Sequence, residues 1–169
     1  MHPIVELAKR AAEEYVRHGR VLEAPADPDG VLGRKAAVFV CVKTAGHLRG
    51  CIGTMAPMTE NAAQETIRNA VAAVAEDPRF FPVGEAELRE LEFTVDVLST
   101  PEIVQSARHL DTRRYGVIVS KGGRRGVLLP DIEGVDTVEK QLEIAMTKAG
   151  IDPGEEGMTI ERFEVERYR

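Results

Sequence analysis

Apolar and polar residues alternate along this chain with two periods, one typical of helices and one typical of strands. The first pattern begins after Pro3 at helical spacing, and Gly19 is placed to end that helix. Its apolar stripe consists of Val5, Ala8, Ala12 and Tyr15. Residues 23–30 (EAPADPDG) combine proline, glycine and acids, which predicts a surface loop after the helix.

A β-hairpin is predicted after this loop. Residues 36–43 (AAVFVCVK) are short, β-branched and apolar, as a buried strand is. Residues 44–46 turn the chain, and residues 47–53 (HLRGCIG) return as the partner strand. This turn places Cys41 opposite Cys51, within one residue.

A helix and a further strand complete the first half of the pattern. Residues 57–78 carry apolar side chains at helical spacing, with Thr59 as the expected N-cap and Asp77-Pro78 as the stop. The apolar positions are Ala63, Ile67, Ala70, Val71 and Val74. Residues 92–98 (EFTVDVL) alternate as a strand with one wet face does.

The second half begins with another hairpin and helix. Residues 115–130 (YGVIVSKGGRRGVLLP) predict a hairpin that turns at its Gly-Gly pair. The helix after it has Asp136 and Glu139 at capping-box spacing and Gly150 at its end. Its apolar stripe consists of Val138, Leu142, Ala145, Met146 and Ala149.

The order hairpin, helix, strand therefore occurs twice. Residues 158–168 predict the last strand, whose alternation slips at 161–162 as at a β-bulge. The matching hairpin residues are Lys43 with Arg49-Gly50 in the first copy and Lys121 with Arg125-Gly126 in the second. Either the chain contains an internal duplication or two hairpins resemble each other by chance. Both alternatives predict an α+β fold with a mostly antiparallel sheet and flanking helices.

Composition narrows the class of protein. A chain of 169 residues with 43% apolar and 30% charged residues is suited to one globular core. The net charge of −6 argues against DNA binding and against acidic membranes, because phosphate attracts a basic face. Asn and Gln are scarce, a bias that thermophiles and GC-rich genomes both produce. The charged N-terminus and the absence of a long apolar run predict a cytoplasmic protein, whose two cysteines would be thiols.

The returning strand of the first hairpin carries candidate catalytic chemistry. Strict alternation puts His47, Arg49 and Cys51 on one face, and Gly50 and Gly53 leave backbone open to close approach. A nucleophilic cysteine needs a lowered pKa. Arg49 supplies a neighbouring cation and His47 is a candidate base. These residues predict an anion pocket that contains a thiol.

Two other interpretations of the cysteines stand beside the nucleophile. Cys51 is equally a small core residue, since free cysteine is among the most buried residue types. As cross-strand neighbours, Cys41 and Cys51 can also form a redox pair. A structural zinc site takes about four ligands, often with short Cys-x-x-Cys spacing. Two cysteines and His47 do not supply such a set, so no metal site is predicted.

The segment EDPRFFPV (residues 76–83) begins at the end of the helix predicted within residues 57–78. Phe80 and Phe81 are expected to anchor the chain in the core after the helix ends. Arg79 either completes an anion site with Arg49 or pairs with Glu76. Further along, a basic island either binds an acidic partner or a phosphate, or stays solvated. It consists of Arg108, Arg113, Arg114, Lys121, Arg124 and Arg125.

Several ordered blocks resemble the AMMECR domain family, whose bacterial and archaeal members are also called AmmeMemoRadiSam system protein A. The blocks are VFVCVKTAGHLRGCIGT, DPRFFPV, LEFTVDVLSTPEIV, GVIVSKGGRRGVLLP and KAGI. They cover nearly the whole chain, and the run from Leu48 to Gly53 (LRGCIG) is the signature of that family. The LLPDIEG segment departs from the pattern, in which glutamine commonly follows the proline, and the C-terminal loop is short. Neither departure touches the signature.

The resemblance implies one α+β domain over residues 1–169, with residues 1–35 as an N-terminal helix and loop that form a smaller accessory part. It implies no established reaction. By genomic association it implies a Memo-like protein and a radical SAM protein as partners, and this chain itself has no radical SAM cysteine motif. The residues carried over as a functional surface are Leu48, Arg49, Gly50, Cys51, Ile52 and Gly53, with Arg79 beside them.

Three hypotheses about function follow. The first is an accessory or binding protein without a cofactor, which presents the LRGCIG face to one of these partners, to RNA or to a small anionic ligand. The second is a thiol-dependent enzyme with Cys51 as nucleophile, Arg49 as anion clamp and His47 as base. The third is a redox pair formed by Cys41 and Cys51.

Overall fold

The computed structural model describes residues 1–169 as an α+β protein with two compact units. The first unit contains Met1–Leu98 and Glu166–Arg169, and the second contains Ser99–Val165. The helices are α1 (Pro3–His18), α2 (Gly30–Gly33), α3 (Ala62–Ala75) and α4 (Val138–Ala149). The strands are β1 (Ala37–Thr44), β2 (His47–Gly53), β3 (Leu91–Leu98), β4 (Glu102–Ile103), β5 (Tyr115–Lys121), β6 (Arg124–Leu128) and β7 (Thr159–Tyr168).

In the first unit, antiparallel strands run in the order β2-β1-β3, and α1 and α3 pack together beside them. The residues of β1 alternate as a strand with one covered face should. Val38, Val40 and Val42 are fully buried, whereas Phe39 and Cys41 are only half-buried. The helices therefore cover one face of this sheet, and the cysteine lies on the other.

The predicted ends of α1 and α4 are confirmed. Gly19 follows α1 and Gly150 follows α4, both in the left-handed region with φ of 66° and 70°. In each case the glycine N–H donates to a carbonyl of the last helical turn, which satisfies a group the helix itself leaves unpaired. Glycine adopts this conformation at low cost because it has no Cβ.

The N-caps predicted for α3 and α4 are both wrong, by two residues for α3 and by one residue for α4. Asn61, not Thr59, caps α3, and its side chain accepts a hydrogen bond from the backbone N–H of Gln64. Thr59 instead donates its hydroxyl to the buried carboxylate of Glu65. At α4 the cap is Thr137 in place of Asp136. Local spacing allowed either residue, and the side-chain contacts decided between them.

The second unit repeats the topology of the first. Its antiparallel strands run in the order β6-β5-β7, with α4 packed on β5 and β6, and β4 pairs with β7. The core of this unit consists of Leu110, Val117, Val119, Leu128, Val135, Ala145, Met146 and Ile151. In both units the chain thus passes through a hairpin, a helix and a strand that pairs with the first strand of the hairpin.

Equivalent contacts in the two units show that the hairpin, helix and strand are repeated as a structural unit. A Cβ on Gly50 would overlap the carbonyl oxygen of Ala73 in α3, and a Cβ on Gly126 would overlap that of Ala145 in α4. A buried amide also ties each helix to the first strand of its hairpin. Asn69 donates to the carbonyl of Val38 at 2.9 Å, and Gln141 donates to the carbonyl of Tyr115 at 2.8 Å.

Candidate functional site

A β-bulge at Arg49 shapes the signature strand. Val42 of β1 lies opposite Gly50 of β2. The next β1 residue, Lys43, lies opposite Leu48, so Arg49 is an extra residue without a partner on β1. A bulge of this kind bends the strand and re-aims the extra side chain. The turn at Ala45 and Gly46, both with positive φ, closes the hairpin.

The bulge changes which residues share a face with Cys51. Residues that pair across an antiparallel sheet point to the same face. Since His47 pairs with Thr44, it belongs to the face of Gly50 and not to that of Cys51. The expectation that His47 lies on the face of Cys51 is therefore wrong. Leu48 takes that place, and its side chain is 40% exposed.

The two cysteines are bonded to each other. Cys41 pairs with Cys51 across the hairpin as predicted, with their Cα atoms 4.0 Å apart, and the two sulfurs form a disulfide. The expectation that both are free thiols is wrong for this structure. Both residues are half-buried, on the face of the sheet that the helices do not cover. Cys51 is therefore not a member of the helix-packed core.

Asp77 binds the backbone of the signature strand. Its buried carboxylate accepts a hydrogen bond from the N–H of Cys51 at 2.9 Å. Arg79 donates to the same carboxylate through Nε at 3.0 Å and Nη2 at 2.8 Å, and Nη2 also donates to the carbonyl of Cys51 at 3.3 Å. The Arg79 guanidinium, together with the Cys51 N–H, holds the pKa of Asp77 well below its ordinary value.

This arrangement decides between the two expectations for Arg79. Its partner is Asp77, not Glu76, and it contributes no unpaired charge to an anion site with Arg49. Because β2 is the edge strand of its sheet, the outward N–H and C=O of Cys51 have no strand partner. Asp77 and Arg79 take these two groups, so the edge is covered at this point.

Arg49 is paired as well. Its guanidinium donates to both carboxylate oxygens of Glu87, through Nε at 2.8 Å and Nη2 at 3.0 Å. It also donates through Nη1 to the carbonyl of Phe81 at 2.9 Å. The hydrogen bonds from Arg49, and next from the Gly84 N–H, lower the pKa of Glu87. Both arginines are therefore held by carboxylates, so neither supplies an unpaired positive charge to the predicted anion pocket.

The two phenylalanines after α3 do not anchor the chain in the core as predicted. Phe81 is 90% exposed, and Phe80 is half-buried between the Arg49 and Arg79 guanidiniums, whose Cζ atoms lie 6.0 and 5.5 Å from the ring centre. Val83 is the buried anchor, and its N–H donates to the carbonyl of Val74 at 2.8 Å. The exposed Phe81 is thus held in place by contacts of its backbone.

A shallow cavity of about 460 Å³ opens beside these residues. It is lined by Arg49, Pro78, Arg79, Phe80 and Phe81. Its walls combine aromatic rings with guanidinium groups whose charges are compensated by Asp77 and Glu87. Such a surface is suited to apolar and aromatic contacts, which are typical of protein interfaces.

The remaining signature residues serve the packing of the hairpin. Gly50 allows α3 to approach β2, as described above, and a Cβ on Gly53 would overlap the ring of Phe39. Ile52 packs against the core of the first unit on the helix-covered face. Leu48 is the signature residue that combines an exposed apolar side chain with the face of Cys51.

The second unit shows which of these features the shared fold requires. Arg124, the residue before the positional match of Arg49, donates to both carboxylate oxygens of Glu155 at 2.6 and 3.1 Å, and its pairing lowers the pKa of Glu155 to about 2. Lys148 donates to the carbonyl of Val127 at 3.2 Å, much as Arg79 does to that of Cys51.

Other features of the signature face have no counterpart in the second unit. Val127 and its partner Ile118 occupy the positions of the two cysteines. The segment after α4 also has no Phe-Phe pair. Since both units fold alike, the disulfide, the Asp77 bond to the strand N–H and the exposed Phe81 exceed what the fold needs. These features define the candidate functional site.

Asp77 and Glu87 were not predicted as members of the site. Asp77 was assigned only the role of a helix stop, because an Asp-Pro pair commonly marks one. Glu87 lies 38 residues from Arg49 in the chain, and nothing in the local pattern joins the two.

Comparisons with known proteins agree with the fold and with the family resemblance. A sequence model of the AMMECR1 family matches residues 5–168. A protein of Thermotoga maritima is 52% identical over 170 residues, which cover 99% of this chain and 98% of that protein. A protein of Clostridium acetobutylicum is 47% identical over 169 residues, and this chain spans only 36% of its length.

A solved structure shares the fold. The crystal structure of an uncharacterised protein from Pyrococcus horikoshii superposes with a TM-score of 0.88 at 34% identity, covering 97% of this chain and 88% of that one. No group of three or more His, Cys, Asp or Glu side chains is arranged to hold a metal ion. None of the helices has the length and apolar character required to cross a membrane.

Proposed function

The chain belongs to the AMMECR1 family, and we propose that it is an accessory protein that binds another protein through the candidate functional site. The observation that carries this proposal is Phe81, which is 90% exposed on backbone that Arg49 and Val83 hold in place. A large aromatic side chain fixed in an exposed position is typical of binding hot spots. Pro82, the next residue in the chain, and Leu48 of the LRGCIG strand are also exposed apolar residues.

The electrostatics of the site favour a protein over RNA or a small anion. The guanidiniums of Arg49 and Arg79 are paired with Glu87 and Asp77, so the site has little net charge to attract phosphate. The chain as a whole carries a net charge of −6, which opposes nucleic-acid binding further. A charge-balanced aromatic surface is better matched by the apolar centre of a partner protein.

The partners we propose are the Memo-like protein and the radical SAM protein that the family resemblance implies. The match to the Clostridium acetobutylicum protein supports association with further protein, because this chain spans only 36% of that relative. The relative therefore carries the same domain joined covalently to a larger remaining part. A domain that acts with neighbours on one chain is suited to act with separate partners in another organism.

The experiment measures binding of this chain to each of the two purified partner proteins at physiological salt by calorimetry. The Phe81→Ala variant should weaken binding to one of them at least about tenfold, as loss of a hot-spot aromatic does. Ile103→Ala is the matched control, because Ile103 is an exposed apolar residue of the second unit. Absence of binding to both partners, or equal binding by the Phe81 variant, would contradict the proposal.

The alternative function, a thiol-dependent enzyme, requires a free thiol at Cys51. The sulfur of Cys51 is bonded to Cys41, so a nucleophilic thiolate would first require reduction of the disulfide. The pKa of Cys51 in the reduced protein is measured by pH-dependent alkylation in a Cys41→Ser variant. A pKa at or above that of a free thiol, about 8.5, would exclude the alternative.

A further inference from the structure

A second cavity of the first unit lies on the helix-covered side of β2 and is separate from the candidate functional site. Its volume is about 500 Å³, within the range of roughly 300–1,000 Å³ that is typical of small-molecule sites. It is bounded by α3, by the end of β2 and by the segment after α1. None of its lining residues belongs to the cavity beside Phe81.

The floor of this cavity is apolar. Ile52 of β2 and Ile67 and Val71 of α3 form it, and Leu22 and Ala24 close one side. Ile67 and Val71 are nearly buried, so their positions are fixed by the core of the unit. The side chains therefore form a preformed apolar surface that excludes water from part of a bound molecule.

Polar side chains of α3 and of its C-cap border the cavity. Gln64 and Arg68 are four residues apart and are neighbours on the helix surface, and Glu76 is the C-cap at the end of α3. Arg68 and Glu76 are eight residues apart, which corresponds to about 12 Å along an α-helix. The positive and negative charges therefore lie at different ends of the cavity.

Arg68 has no hydrogen-bond partner of its own. The acid near it is Glu65, at 3.9 Å, which is longer than a hydrogen bond. The buried Glu65 carboxylate already accepts hydrogen bonds from the hydroxyls of Thr54 and Thr59 and from two backbone N–H groups. The half-exposed guanidinium of Arg68 forms an ion pair with this carboxylate but donates no hydrogen bond to it, so its N–H groups can donate to an anionic group at the edge of the cavity.

We propose that this cavity binds a small amphiphile with a single anionic head group and an apolar tail. The head group accepts hydrogen bonds from Arg68, and the tail covers Ile52, Ile67 and Val71. The carboxylate of Glu76 repels the head from the opposite end, so the ligand has one orientation. This activity goes beyond partner binding through Phe81 and does not depend on it.

The experiment uses decanoate as the probe and decanol as its uncharged analogue, both below the concentration at which they aggregate. Binding is followed by the amide chemical shifts of the full chain. Decanoate should shift amides of α3, of the end of β2 and of residues 21–24. Its dissociation constant should be about tenfold lower than that of decanol, because the head-group hydrogen bonds are charge-assisted.

Three variants test the orientation and the location. Arg68→Gln should weaken decanoate about tenfold and leave decanol unchanged, whereas the matched control Arg89→Gln, at an exposed arginine outside the cavity, should change neither. Val21 lines the cavity and is 62% exposed, so Val21→Glu places a charge at the rim without disturbing the core. This variant should weaken the binding of both decanoate and decanol. Glu76→Gln should leave decanoate binding equal or tighter.

Several results would overturn the inference. Decanoate shifts that spread over the surface without a cluster at the cavity would show that no site exists. Equal affinity for decanoate and decanol would show that Arg68 does not bind the head. A loss of affinity in Glu76→Gln as large as that in Arg68→Gln would contradict the assigned orientation.

Discussion

The carboxylate of Asp77 accepts a hydrogen bond from the backbone N–H of Cys51 at 2.9 Å, across 26 residues of chain. The same carboxylate also accepts a hydrogen bond from Arg79, and Arg79 in turn donates to the carbonyl of Cys51. An aspartate after a helix thus completes the open edge of the signature strand. The loop that displays Phe81 begins at this contact, so the strand and the loop are joined structurally.

Replacing Asp77 tests this contact. Asp77→Ala leaves the Cys51 N–H without an acceptor and Arg79 without its partner, so the free energy of unfolding should fall by about 2 kcal/mol. Urea denaturation measures the change. Glu76→Ala is the matched control, because the side chain of the adjacent, exposed Glu76 makes no hydrogen bond, and it should stay within about 0.5 kcal/mol of the parent protein. Equal effects of the two substitutions would contradict the role of Asp77.

The lowered pKa of Asp77 predicts a dependence of stability on pH. Because the pKa in the folded protein lies below the ordinary value of 3.8, the carboxylate stabilises the fold above that pH. The contribution is lost as the pH falls through the acid range. The free energy of unfolding of the parent protein should therefore exceed that of Asp77→Asn by more at pH 7 than at pH 3. A constant difference between these two pH values would show that Asp77 is not held ionised by Arg79 and Cys51.

The two glycines that face helix carbonyls should be equally intolerant of substitution. Gly50→Ala and Gly126→Ala each place a Cβ against helix backbone, which cannot yield as a flexible side chain can, so each should cost about 2–3 kcal/mol or more. Gly123→Ala is the control, since no atom lies within 4 Å of the position of its Cβ. Thermal and urea denaturation compare the three. Tolerance of either Gly50→Ala or Gly126→Ala would show that the two units do not share this packing.

The disulfide predicts a change in stability on reduction. Cys41 and Cys51 close a loop with a sequence separation of 10. A disulfide that closes a loop of that length stabilises the folded protein by up to about 3 kcal/mol, and reduction should remove this contribution. The double variant Cys41→Ser, Cys51→Ser should match the reduced parent protein in urea denaturation. A thiol-reactive dye should find no free thiol in protein purified without reductant, and two per chain after reduction. Two thiols per chain before reduction would contradict the bond.

Much of the fold follows from local sequence patterns. Strand alternation predicted β3 within one residue of Leu91–Leu98, and the Gly-Gly turn predicted the hairpin of β5 and β6. The order of hairpin, helix and strand occurs twice in the sequence, and the equivalent contacts of Gly50 and Gly126 show the same repeat in the structure. These predictions succeed because helix and strand periods are set by neighbouring residues.

The candidate site was predicted less well, since it depends on contacts between distant residues. Alternation alone placed His47 with Cys51, and the unpaired Arg49 in the bulge reversed that result. Arg49 was expected at an anion pocket, and Arg79 either there or paired with Glu76, but Glu87 and Asp77 hold the two arginines instead. The apolar character of Phe81 predicted burial, but the core beside it is filled by Val83.

The sequence by itself determined the element order, the repeated topology, the pairing of Cys41 with Cys51 and the resemblance to one family, because spacing and signature residues are local properties of the chain. Only the tertiary structure decided that Arg49 and Arg79 are neutralised, that His47 lies on the opposite face from Cys51, and that Phe81 faces solvent. Charge compensation and burial depend on which residues meet in space. LRGCIG is accordingly part of a charge-balanced aromatic surface, and its arginine is bound to Glu87.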